Sequence, residues 1–334
     1  MEFNIIVGLQ HGDEGKGKVS KILSKEHEYC LRFNGGPNAG HTVYVKDQKV
    51  HLKQIPVGIF EGKISIIGGG CLVDLKTFKS ELDMLVNMYG VDILDKIKVC
   101  YNAHLISEEA INHDILNDVV GSTKSGIGYT YSQKSLRYNK RVCDMFNADI
   151  YGCEIVDLYN IFEDKNAKVI CEGAQGFELD IDLGDYPYVT SSNCTVGQLI
   201  CNGIPPQSVN KVYGICKIYD TYVGNKSFHN DKFKQVLDKL QEIGEEFGTV
   251  TSRARQCNWL DLDKLRRAIK CNGVTNLIIN KCDIICELEK FVLIDNNDYV
   301  HFGDFNDMKN YITSKLHNLG YIKEIVFSGS KYTL

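Results

Sequence analysis

No segment of this 334-residue chain is apolar for long enough to span a bilayer, and its start lacks the basic-then-apolar pattern of an export signal. These two absences argue against a membrane-spanning protein and predict a cytoplasmic one. Basic charge is in short supply too. Lysine and arginine total 38 against 43 acids, a net charge of -5, which argues against a nucleic-acid coat or a binder of anionic membranes. No CxxC pair occurs among the 13 cysteines, and Cys282 and Cys286 have no second ligand pair nearby, so no structural zinc site is expected. Many cysteines sit in apolar runs, such as "IKVC" at Cys100, "VICEG" at Cys171 and "YGICKIY" at Cys216, and read as buried reduced thiols. No repeat, low-complexity tract or linker divides the chain.

What is present fits an ordinary globular protein, with 43% hydrophobic and 24% charged residues. Strand-like runs ("NIIVGL", "ISIIGGG", "KVICEG", "KVYGICKIY", "NLIIN", "EIVFSG") alternate with helix candidates at Asp74–Tyr89, Asp231–Ile243, Asp261–Cys271 and Asp304–Leu319. Each helix candidate opens on an aspartate suited to an N-cap. Continuous apolar strands flanked by helices predict an α/β fold, a large and mostly parallel central sheet covered on both faces. "VYVKDQKVHL" reads as a hairpin turning across Asp47-Gln48. One α/β domain spanning residues 1–334 is expected.

Several segments carry chemistry. "GLQHGDEGKGKVSK" follows a strand and precedes a helix, where a glycine-rich loop aims backbone N–H groups at phosphate. Gly12 to Lys18 matches the spacing G-x-x-x-x-G-K, with Gly15, Lys16 and Gly17 inside it, so a nucleotide site like that of P-loop NTPases is expected. Val19 stands where such a loop needs a hydroxyl for Mg²⁺, which leaves Asp13 as the nearest hard oxygen. A plain strand-to-helix turn needs neither this glycine density nor both lysines. "RFNGGPNAGHTVYV" is a second glycine-rich loop, offering Asn38, the Gly40 carbonyl, His41 and Thr42. A phosphate beside His41 would raise its pKa and suit it to act as an acid. "GSTKSGIGYTYSQKSLR" is composed either for phosphate binding or for a surface loop. "CEGAQGF" places Gln175 straight after a strand, where α/β sheets put ligand groups. "YPYVTSSN" adds Thr190. "FGTVTSRAR" gathers Thr249, Thr251, Arg253 and Arg255 into a carboxylate or phosphate clamp. "NLIINKCD" ends a strand on an N-K-x-D element like that by which GTP-binding proteins read guanine.

Taken together and in this order, these segments resemble the adenylosuccinate synthetase family along nearly the whole chain, in a form abbreviated between Arg137 and Val169. "GDEGKGK" joined to "NAGHT" is the most specific part. The resemblance implies a C–N ligase of purine biosynthesis that joins L-aspartate to IMP with GTP and Mg²⁺. It casts Asp13 as the base toward IMP N1 and as a metal ligand with the Gly40 carbonyl. His41 is implied as the acid on the GTP side, and Lys16 as the charge that steadies the moving phosphoryl group. Asn38, Thr123, Gln175, Thr190, Val223 and Arg253 would surround IMP, with Gln175 counted in the catalytic set. Arg137 would reach the neighbouring subunit's IMP in a homodimer. Thr249, Thr251 and Arg253 would hold aspartate. Gly12, Gly15, Lys16, Gly17, Lys18, Gly40, His41, Thr42 and Arg255 would serve GTP. Lys281, Asp283, Ser328 and Gly329 would frame its base.

The chain departs from the family pattern in three loops. The arginine-rich loop reads Ser252-Arg253-Ala254-Arg255-Gln256, the segment after "KIYDTYVG" reads Asn225-Lys226-Ser227-Phe228-His229, and the last loop reads Phe327-Ser328-Gly329-Ser330. These changes keep a rival open, the phage-type 2-aminoadenylosuccinate synthetases, which join aspartate to dGMP and typically carry a small residue where this chain has Asp13. A rival from another class is a non-catalytic GTP-binding module, for which Asn38, His41 and the "TSRAR" loop would be surplus.

Overall fold

The computed structural model describes residues 1–145, 149–162, 166–228, 231–248, 253–317, 319–330 and 332–334. Its first strand, Glu2–Gly8, is buried from its second residue to its last, as an interior strand of a covered sheet must be. Side chains alternate across it. Phe3, Ile5 and Val7 share a core with Leu262, Leu265 and Ile269 of the helix Leu262–Asn272. Ile6 faces the other way and packs with Val19 of the helix Lys16–Ser24. Helices therefore cover both faces.

The central sheet has ten strands in the order Glu324–Phe327, Asn276–Asn280, Val209–Lys217, Glu2–Gly8, Lys168–Glu172, Tyr29–Arg32, Ile64–Ile67, Ile97–Cys100, Cys153–Val156 and Asp149–Ile150. Every neighbouring pair is parallel except the last. All six apolar runs picked out in the sequence are strands of this sheet. A smaller four-stranded sheet (Tyr219–Tyr222, Gln256–Asp261, Val292–Asp295, Asp298–His301) extends from the end of Val209–Lys217.

Asp74 and Asp261 cap their helices as expected, accepting from Thr77 N and from the N–H groups of Asp263 and Lys264. Asp304 accepts from Asp307 N at 3.0 Å ahead of the helix Phe305–His317. The hairpin of His41–Val45 with Gln48–Leu52 is present, but it turns at Lys46-Asp47, one residue earlier than expected. Both residues have positive φ (46° and 64°), the conformation in which a two-residue turn matches the twist of the strands. All thirteen cysteines are free thiols. Among the described residues no helix is long and apolar enough to cross a membrane.

Five adjacent parallel strands end on Asn280, Lys217, Gly8, Glu172 and Arg32. Their carboxyl ends lie along one edge, so loops far apart in the chain meet there. That edge is where an open α/β sheet binds ligands.

Candidate active site

The phosphate loop leaves the first strand at Gly8. Gly12, Asp13 and Gly15 take positive φ (90°, 59° and 88°), and Gly15 begins the helix Lys16–Ser24 with no side-chain cap. The first turn holds no acid, so its N–H groups and the positive end of the helix are open to an anion. Gly17 is tightly packed instead: a Cβ there would stand 3.0 Å from the Cβ of His41. The strand His41–Val45 thus crosses closely over the helix start and brings His41 to the phosphate loop.

The two acids of this loop separate. Glu14 is fully buried and turns inward, where its carboxylate accepts from Gln10 N at 3.1 Å and Gly12 N at 3.0 Å and pairs with Lys16. It holds the loop in shape and neutralises Lys16. Asp13 keeps 31% of its side chain accessible and faces the cleft, where Arg255 Nε approaches its carboxylate at 2.9 Å.

His41 belongs to a buried set of charges. Its Nδ1 and the Arg32 guanidinium both bond to Glu172 Oε1, while Glu172 Oε2 accepts from Val57 N at 3.1 Å. Burial opposes the Glu172 anion, but Arg32 and His41 outweigh it and hold the carboxyl at about 2. An anionic partner at Nδ1 fixes the proton there and leaves Nε2 as the ring atom for a nucleotide. Without a ligand the imidazole sits below its ordinary range, because burial and then Arg32 outweigh Glu172.

The opposite wall gathers the residues expected around IMP. Gln175 has φ of 56°, and both polar atoms of its amide are buried with no hydrogen-bond partner among the described residues. A strained residue presenting an orphaned amide at a cleft is a group arranged for a ligand. Asn38 Nδ2 donates to Thr190 Oγ1 at 3.4 Å, joining two of those residues across 152 positions. Arg253 donates to the carbonyls of Gly121 and Ser122, which places it beside Thr123. Val223 continues from the strand Tyr219–Tyr222.

At the other end, Lys281 takes a left-handed conformation before the helix Cys282–Leu288 and donates to Gly244 O at 3.0 Å. Asp283 is exposed, and Gly329 lies so near that a Cβ there would stand 2.9 Å from Asp283 N. Lys18 is turned toward the ends of the strands Asn276–Asn280 and Glu324–Phe327. Its ammonium donates to Asn280 Oδ1 at 2.7 Å and Ser328 Oγ at 2.9 Å, and burial brings its pKa to about 8. It ties the phosphate loop to both base-framing segments. Ser328 itself is buried beneath the surface.

Asp13, Lys16, Asn38, His41, Thr123, Gln175, Thr190, Val223, Arg253, Arg255, Lys281 and Asp283 line one cleft of about 1650 Å³, room for two nucleotides and an amino acid, with Arg32, Glu172 and Ser328 behind its wall. Arg137 is exposed and is not among the residues lining it, and Thr249 and Thr251 lie outside the described residues. Glu14, Arg32, Glu172, Lys217 and Glu246 are the working charges that the motifs passed over. Arg32, Glu172 and Lys217 share one sequence signal, a single charge at the carboxyl end of an apolar run. Among the described residues no three His, Cys, Asp or Glu side chains gather for a metal. The Asp13 carboxylate and the Gly40 carbonyl are two hard oxygens on the cleft, a donor set that suits Mg²⁺ completing its shell with phosphate and water.

Comparison with known proteins agrees in kind. The adenylosuccinate synthetase family model matches residues 5–163 and 151–319. The adenylosuccinate synthetase of Parabacteroides distasonis is 37% identical over 337 residues, covering 85% of this chain and 78% of that one. That of Porphyromonas gingivalis is 38% identical over 332 residues, covering 84% and 78%. Among solved structures, the fully ligated adenylosuccinate synthetase from Plasmodium falciparum superposes with a TM-score of 0.83 at 28% identity, covering 98% of this chain and 97% of that chain. The succinoaminodeoxyadenylate synthetase of cyanophage S-2L, bound to dGMP and to dATP as energy donor, gives 0.72 at 22% identity, covering 94% and 99%; at that identity only the fold is shared.

Proposed function

The chain belongs to the adenylosuccinate synthetase family, and we propose how its own residues carry out that reaction, the GTP-dependent joining of L-aspartate to IMP. The products are adenylosuccinate, GDP and phosphate. The observation that carries the residue assignment is the divergence of the two loop acids, with Glu14 spent on structure and Asp13 left facing the cleft.

A purinone oxygen is a poor leaving group, so C6 must be activated before an amine can displace it. Asp13 takes the proton from N1 of IMP, and the charge moves to O6, which attacks the γ-phosphate of GTP. His41 then gives a proton from Nε2 to the departing side of GDP. Polyphosphate charge beside the ring would restore the proton affinity that burial and Arg32 remove. Lys16 steadies the transferred phosphoryl group once the nucleotide draws it from Glu14. The amine of aspartate attacks C6, phosphate leaves, and the amine sheds a proton.

A carboxylate paired with a guanidinium is a weak base, so this reading has Arg255 leave Asp13 for GTP before N1 is deprotonated. Arg253 would hold an aspartate carboxylate together with Thr249 and Thr251. Bound Mg²⁺, held by Asp13 and the Gly40 carbonyl, would neutralise phosphate charge. Arg137 would serve a partner's cleft in a homodimer. Its chain neighbours Leu136 and Tyr138 are 57% and 79% exposed, apolar surface suited to burial between two copies. Nothing in the composition calls for nucleic acid or membrane, and a cytoplasmic setting fits the substrates.

Phosphate release measured with GTP, L-aspartate and either IMP, GMP or dGMP tests the acceptor. Turnover with IMP and little with the others is expected. Turnover with dGMP alone would overturn this reading in favour of the phage-type reaction.

A further inference from the structure

Behind the cleft lies a buried carboxylate to which no part of this mechanism assigns a role. Glu246 has no exposed surface and stands where the stem of the "TSRAR" loop meets the sheet edge. Its carboxylate accepts from Tyr219 OH at 2.6 Å and from Lys217 Nζ at 3.3 Å, and it pairs with Arg255 Nη1. Its carbonyl accepts from Arg255 N at 2.9 Å, and Gly248 N donates to Arg253 O at 2.7 Å, so both ends of the stem are clamped to each other. Lys217 ends a central strand and is held through its backbone by the side chain of Gln10, a residue of the phosphate loop. One carboxylate thus connects the phosphate loop, the arginine that touches Asp13, and the stem of the loop expected to carry aspartate.

We infer that Glu246 is a positioning residue for the ligation: it holds Arg255 so that the arginine can release Asp13, and it fixes the substrate loop's stem to the sheet. Two buried cations, Lys217 and Arg255, share this single anion. If the charge is removed while the shape is kept, the cations repel, and the balance of charge around Arg255 shifts toward Asp13. Arg255 would then pair permanently with the group that must deprotonate IMP. Binding of IMP would persist, because the contacts of Asn38, Thr190 and Gln175 do not run through Glu246.

This inference rests on the proposed roles of Asp13 and Arg255, and its test separates the two. Glu246→Gln should lower kcat on the order of 100-fold, the usual cost of a small misplacement of reacting groups, with KM for IMP changed by less than about threefold. Glu246→Gln combined with Arg255→Met should be no slower than Arg255→Met alone, because the two act as a unit. Undiminished kcat in Glu246→Gln, or losses that multiply in the double variant, would overturn the inference. Wild-type turnover of IMP in the same assay shows whether a failure lies here or in the reading beneath it; a wild type inactive on IMP ends both. Should Glu246→Gln not fold, Tyr219→Phe carries the test, since it removes a donor to the same carboxylate without changing charge. A lowered kcat with an unchanged KM for IMP is then expected, and an unchanged kcat refutes the positioning role.

Discussion

Asp13 and Glu14 are adjacent in the chain and have the same charge, yet one faces the cleft and the other is entombed. Their separation follows from backbone geometry. Positive φ at Gly12, Asp13 and Gly15 curls the loop so that consecutive side chains diverge. The inward one finds two N–H groups and an ammonium, and the outward one finds, among the described residues, only Arg255. The lesson is that a phosphate loop can carry acids at little electrostatic cost when one is consumed internally and the other is given a task.

The contrast can be broken most severely at Asp13. Asp13→Asn removes the proposed base and weakens a single, partly exposed pair with Arg255, so kcat should fall by on the order of 10³-fold or more while the thermal midpoint changes little and the calorimetric binding of IMP holds. Full activity in that variant would refute the assignment. Glu14→Gln should do the reverse. It leaves Lys16 buried beside a neutral amide, at a cost of about 3 kcal/mol, so the main readout is a lower thermal midpoint. If the two variants were equally destabilised, the division of labour drawn here would be wrong.

A smaller effect sharpens the same contrast between enclosed and open groups. His41 is enclosed, and its folded pKa lies below the ordinary 6.5. Between those two values the unfolded chain binds more protons than the folded one, so stability is present above 6.5 and is lost as pH falls through that window. Thermal midpoints of the ligand-free protein should therefore drop on acidification from pH 7 toward 5, and His41→Asn should drop less. Glu172, held at about 2, stays ionised throughout that range and leaves the comparison clean.

Much of this site was legible because its chemistry depends on residue type at fixed spacing. The glycines of "GDEGKGK", the Asn-Lys-x-Asp ending of an apolar strand and the turn holding Gln175 each announced a local geometry, and each took it. The turn of the hairpin was misplaced by one residue because Asp47 signals a left-handed position but Lys46, its partner in the turn, does not. The short strands Tyr29–Arg32, Ile97–Cys100 and Cys153–Val156 have only four residues each, too few for a distinct period. Arg32 and Glu172 escaped notice for a different reason. A lone charge at the end of a strand is common, and only its partner, 140 residues away, makes it part of a site.

By itself, then, the sequence determined where the backbone must bend, which strands are interior, and which loops turn on glycine at the sheet edge, because those properties arise within a few bonds of each residue. Only the tertiary structure decided which carboxylate faces the cleft, which histidine nitrogen is taken by Glu172, and that Glu246 joins Lys217 to Arg255. Burial and charge pairing are properties of the assembled neighbourhood. In a low-dielectric interior a charge is tolerated only beside its partner, and that partner comes from whichever distant strand end the sheet order sets next to it.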